Sequence, residues 1–333
     1  MPVFLRIAIG LCAGALALGF ALRWDPAEAP AVALSELDQR VATAGHRLAT
    51  ANLAFCSDVQ WQAGLLIHDL SQYSRAGRAE AITSFGLDAG PAILALAEDG
   101  AAARAGIRLN DVILSADGKP LPRAPEDAHN TFAPTQRIVE ALEAAFLDGS
   151  ADLEVKRGGD TLTVGVAADR GCASRFQVVP SSLRRAQADG RYVQLTSALV
   201  EYTRDADELA ALVAHELAHN ILRHRARLNE VGVERGEQAN VGRNARLFQQ
   251  TEREADRMMV YLMDRAGYDP QAAVRLWTRQ GQEPDADEGD GTHPAWADRV
   301  AAIQAEIRAI AAAKARGEQV RPPRFDTDLS TIE

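Results

Sequence analysis

Three of the seven histidines fall within "VAHELAHNILRH", Val213–His224, among alanines and leucines that suit a buried helix. At about 100° of rotation per residue, His215 and His219 lie about 40° apart on one helix face, with Glu216 one step round. Two imidazoles so placed can share a divalent cation such as zinc, and the adjacent carboxylate can reach water at that cation. Burying two histidines and a glutamate without partners is costly, and a metal removes the cost. The competing reading is a satisfied pair of core histidines. His224, five residues beyond His219, is predicted to point elsewhere and to serve as a charge at the helix C-terminus.

A tetrahedral zinc site with chemistry to perform needs a third protein ligand and one open position. "TEREADRMMVYLMDRAG" offers it: Glu252 and Asp256 are four apart on one helix face, and Glu254 points away from both. Glu252 is expected to bind the metal, with Asp256 orienting a ligand histidine through its free ring N–H. The alternative is a solvated Glu/Arg face, but the apolar run after Asp256 predicts a helix buried on one side.

These residues need elements to hold them. Asp205 and Glu208 make an N-cap and N3 pair before the histidine helix. The chain has 333 residues with 36 basic and 46 acidic side chains, so it can fold into more than one unit. A net charge of −10 argues against nucleic acid as a partner. Within residues 1–24, Arg6 is followed by sixteen uncharged, mostly apolar residues from Ile7 to Leu22. That reads as an export signal, either cleaved or kept as a membrane anchor. Cys56 and Cys172 remain outside it, either a disulfide suited to an oxidising compartment or two unrelated thiols.

Residues 81–168 alternate short strands and turns around one helix. "AILALA", "RLNDVILSADGKPL" and "ADLEVKRGGDTLTVGVA" read as strands, the last a hairpin turned at Gly158–Gly159, and "TQRIVEALEAAFL" has helical apolar spacing. The order, and above all "GAAARAGIRLNDVILSADGKPL", resembles a bacterial PDZ domain. The resemblance implies capture of a peptide C-terminus as an added strand, with Phe85, Gly86 and Leu87 of "SFGLD" as the binding loop. The other reading is a spacer with no ligand. "ELAALVAHELAHNILRH", "EREADRMMVYLMDRAGYDPQAAVRLW" and "THPAWADRVAAI" resemble the HtpX and CAAX-prenyl-protease family of gluzincin metallopeptidases, over about 180–310.

That resemblance implies an α+β chain: an α-rich metallopeptidase domain with a small sheet, beside the PDZ-like β-rich module. It implies one zinc ion held by His215, His219 and Glu252, with Glu216 as general base. It also implies His293 near the metal, covering it or steadying an oxyanion, and Arg299 organising the same region. The strand of "RYVQLTSALVEYT" is expected beside the cleft, where "RYVQLT" can pair with substrate. The expected divisions are 1–24, a helical segment 31–80 packing on the protease, the module 81–168, the protease 172–315 and a loose tail 316–333. The stretch "RARLNEVGVERGEQANVGRNARLFQQ" is expected either as a mobile flap or as a solvated helix and loop. The acidic "EPDADEGDG" is expected as a solvated loop. Together these readings imply an envelope endopeptidase acting on proteins or peptides, exported to the periplasm and soluble or anchored there. A PDZ-based chaperone or scaffold with minor protease activity is the alternative.

Overall fold

Val41, Ala44 and Leu48 recur at helical spacing and are all but fully buried, which is why the first described element is a helix packed along one face. The structure, a computed structural model, describes residues 31–233, 239–283, 291–325 and 327–332. The expected export segment 1–24 lies outside the described residues. No helix among those described is long and apolar enough to cross a membrane. The chain divides into two compact units between Ser181 and Ser182.

In the first unit, α1 (Ala31–Ala51) leads to β1 (Val59–Gln62), β2 (Leu65–His68), α2 (Arg78–Phe85), β3 (Ala92–Leu96) and the short α3 (Ala101–Arg104). Then follow β4 (Val112–Ala116), β5 (Lys119–Pro120), α4 (Ala133–Ala145), β6 (Ser150–Arg157), β7 (Asp160–Ala167), β8 (Asp169–Cys172) and β9 (Arg175–Val179). The main sheet runs β2-β3-β4-β6-β7, antiparallel throughout, with β5 paired to β4. Ile93, Ile113 and Leu153 from the strands meet Ile138 and Leu142 of α4 in its core. The β6–β7 hairpin turns at Gly158, whose φ of 59° a side chain would resist.

Residues 31–80 differ from the helical segment expected. They supply α1 but also β1 and β2, and β2 extends the module's own sheet. The four-residue strands were too short to show a period of their own. Helix α1 packs on β3, β8 and β9 within its unit. Gln39 receives the Leu96 amide at 2.9 Å, and the Asp38 carboxyl accepts the Val178 amide at 2.9 Å. Val59 pairs with Cys172, and a disulfide joins Cys172 to Cys56 with Cα atoms 5.2 Å apart.

The second unit begins with the hairpin β10 (Ala186–Ala188) and β11 (Tyr192–Thr196), followed by α5 (Ser197–Tyr202). Five further α-helices follow among the described residues: α6 (Ala206–Ile221), α7 (His224–Glu230), α8 (Gly242–Arg265), α9 (Gln271–Gly281) and α10 (Trp296–Ala315). Helix α6 is central. Every residue from Glu208 to Ile221 is buried, with α8, α9 and the hairpin packed around it. Asp205 caps it by accepting the Glu208 amide at 2.8 Å, and the Glu208 side chain returns to the Arg204 amide at 2.9 Å. Arg279 of α9 then binds Glu208 through both guanidinium branches, at 2.6 and 2.7 Å.

The expected loose tail is docked instead. Phe325 and Leu329 are buried, and Leu329 joins Leu228, Val233, Ala239, Leu247 and Phe248 in one apolar cluster. The same cluster absorbs the described part of the stretch read as flap or solvated loop; its residues 234–238, and residues 284–290 of the acidic run, lie outside the described residues.

Candidate metal centre

Helix α6 carries His215, Glu216 and His219, and α8 packs against it with Glu252 and Asp256 facing the histidines. The Nε2 atoms of His215 and His219 are 3.2 Å apart. Glu252 sets Oε2 at 3.2 Å from the first and Oε1 at 3.3 Å from the second. One ligand atom from each of the three residues falls within 4.8 Å of the others, a cluster that could hold a metal ion. All three are buried, and the Oε2 atom of Glu252 has no hydrogen-bond partner. A buried carboxylate oxygen without a donor is expensive, and two imidazole nitrogens aimed at one point need a proton or a cation between them. The donor set therefore fits a divalent cation of zinc type.

Behind His215, Nδ1 lies 3.0 Å from Asp256 Oδ1. Arg299 from α10 grips Asp256 with contacts of 2.7 Å to each oxygen and stacks its guanidinium over Trp277 at 5.1 Å. Burial acts to raise the Asp256 pKa, but Arg299 and then His215 outweigh it and hold the group at about 2. Glu252 is likewise held well below the usual carboxylate range: burial opposes, and His293, His219 and His215 prevail. Burial dominates at Glu216, pushing its carboxyl up to about 7. His293 reaches the same place from the segment before α10, its Nε2 3.4 Å from Glu252 Oε2.

His224 is the main correction. It is fully buried, and its Nδ1 lies 2.9 Å from Nδ1 of His219 while its Nε2 meets Glu254 at 3.1 Å. A straight helix would have carried it about 140° away from His219. Instead α6 stops after Ile221, and Arg223 adopts a left-handed φ of 53°, starting α7 in a new direction. Glu254 does face away from Glu252, as expected, but it is no surface charge: Arg227 at 2.7 Å and Gln250 at 3.0 Å hold it behind His224. The sequence carried no Gly or Pro to mark that helix break, so neither residue was foreseen.

Two other expectations shift. Phe85 and Leu87 are 7% and 3% exposed, packed in a cluster with Ala81, Ala92 and Val112, and Gly86 ends α2 in a left-handed cap. Their side chains are core, not a loop surface. The strand in "RYVQLT" is β11, paired to β10, and the outer strand of that hairpin is β10.

Comparison with known proteins gives two kinds of match. Over 95 residues the chain is 40% identical to a protein described as "Probable periplasmic serine endoprotease DegP-like" from Pseudomonas savastanoi pv. phaseolicola, covering 26% of this chain and 17% of that one. A protein of the same description from Pseudomonas fulva is 36% identical over 108 residues, covering 30% and 20%. The chain thus spans a fifth or less of the length of these relatives. A crystal structure of the HtrA3 PDZ domain bound to a phage-derived ligand is 21% identical, with a TM-score of 0.26, over 34% of this chain and 89% of that one. The model of peptidase family M48 matches residues 184–241 and 237–307. That span holds α6, α8, His293 and Arg299, so the part of this chain that is similar to peptidase family M48 is the part that carries the candidate metal centre.

Proposed function

We propose that this chain is a zinc-dependent endopeptidase of the cell envelope, holding one zinc ion through His215, His219 and Glu252 and serving protein quality control or processing. The observation that carries the reading is the buried convergence of those three side chains, one ligand atom from each within 4.8 Å of the others, with Glu216 on the helix of the two histidines. A zinc ion held by His215, His219 and Glu252 would supply Lewis-acid chemistry there, able to polarise a carbonyl and acidify water. Glu216, with its carboxyl near 7, accepts the proton of the attacking water and returns it to the leaving amine nitrogen. His293, 3.4 Å from Glu252, serves as donor to the developing oxyanion, and Arg299 keeps Asp256 charged behind His215.

The outer strand β10 gives an extended substrate a backbone to pair with, and the PDZ-like unit offers a second peptide site at its edge strand β2 rather than at Phe85–Leu87. Capture of a C-terminus there would bring protein substrates to the chain. The periplasmic relatives and the apolar 1–24 segment support export, with the product soluble in the periplasm or tethered by that segment.

The test is cleavage of an unfolded protein by the full chain, with chelator and with zinc restored. Activity should vanish and return, and Glu216→Gln should bind zinc without turnover. Cleavage indifferent to chelator, or undiminished in Glu216→Gln, would end this reading.

A further inference from the structure

The two imidazoles of the metal centre are supported in different ways. His215 has a carboxylate behind it, Asp256 at 3.0 Å. His219 has a third imidazole, His224, at 2.9 Å between the two Nδ1 atoms. Nitrogen-to-nitrogen contact at that distance requires one N–H and one lone pair, so the protons on both rings can be assigned.

The Nε2 atom of His219 faces His215 and Glu252, at 3.2 and 3.3 Å. To ligate there it must present a lone pair, which leaves the ring proton of His219 on Nδ1. His224 must then accept at Nδ1 and carry its own proton on Nε2. That N–H meets Glu254 Oε2 at 3.1 Å, and Glu254 cannot rotate away because Arg227 and Gln250 hold it. The two anchors are themselves fixed to the C-terminal segment: Arg227 donates to the Thr327 carbonyl at 2.9 Å and Gln250 to the Thr327 hydroxyl at 3.0 Å. Every link admits a single donor and acceptor order.

We propose that His224 is a positioning residue that fixes the tautomer and ring orientation of His219 for metal binding, with Glu254 setting the tautomer of His224 in turn. This rests on the metal reading of the site. An imidazole in the place usually taken by a carboxylate or carbonyl leaves His219 less basic than His215, so the centre depends on keeping His224 in one tautomer.

Three substitutions separate orientation from packing. In His224→Asn the amide oxygen can take the place of Nδ1 and still accept from His219. In His224→Gln the polar end sits near the old Nε2, and in His224→Leu no acceptor remains. Zinc affinity is measured by competition with a chromophoric chelator, the cobalt-substituted protein by its visible absorption, and the metal-free protein by its melting temperature. We expect the Leu and Gln variants to lose about 10–100-fold in affinity and to shift the cobalt bands, while Asn stays within about threefold of the parent. Equal affinity in the Leu variant, equal loss in Asn and Leu, or losses that track the metal-free melting temperature would overturn the proposal. Should the parent chain bind no zinc at all, the metal reading itself falls; should it bind zinc as tightly as the Leu variant, only the role of His224 falls.

Discussion

Arg299 meets both carboxylate oxygens of Asp256 at 2.7 Å, and Asp256 is buried directly behind His215. Replacing Arg299 with Ala strands a buried charge, a change that costs about 3–5 kcal/mol. Lys keeps the charge but loses the fork and the stacking on Trp277. Urea melts should therefore rank the parent above Arg299→Lys and that above Arg299→Ala, with zinc affinity falling in the same order. An Arg299→Ala protein as stable as the parent would refute the account of this pair.

Glu252→Gln should separate fold from metal. The amide keeps the shape and removes the negative charge that faces both imidazoles. Bound zinc, read by elemental analysis, should fall from about one per chain to almost none while circular dichroism is unchanged. Full metal content in Glu252→Gln would move the third ligand elsewhere.

The first unit carries a separate pH dependence. Burial pushes the Asp38 carboxyl up to about 7 from an ordinary 3.8, with only the Val178 amide acting against it. Between those values the unfolded chain ionises Asp38 and the folded chain does not, so its contribution is full below about pH 4 and declines as pH rises to 7. The loss is on the order of 4 kcal/mol at most. Asp38→Asn should thus match the parent near pH 4 and melt higher than it at pH 8. A difference between the two proteins that does not change with pH would exclude Asp38 as the source.

The Cys56–Cys172 bond spans 116 residues of the first unit. Its removal should lower that unit's stability by about 2–5 kcal/mol. Calorimetry with and without reductant should move one transition in the parent and none in a Cys56→Ser, Cys172→Ser double variant. A parent transition insensitive to complete reduction would contradict this.

How much of this was legible beforehand depends on whether a residue's role follows from local period. His215, Glu216 and His219 stand out because i, i+4 spacing survives any tertiary context, and Glu252 with Asp256 repeats the same logic. His224 did not, because its role hangs on a single left-handed residue, Arg223, that no residue type announced. Phe325 and Leu329 follow two prolines and sit among charges without regular spacing, so nothing marked them as core until Leu228 and Phe248 were found beneath them. Phe85 and Leu87 were mistaken for a binding loop for the converse reason: a glycine between two apolar residues signals a turn equally well at the end of a helix.

The three candidate ligands come from two helices, His215 and His219 from α6 and Glu252 from α8, and neither helix alone offers all of them. No short fragment, and no nascent polypeptide short of α8, can assemble the set. A metal site built this way forms only once both helices have been made and packed together, so whatever chemistry it performs begins with the finished tertiary structure.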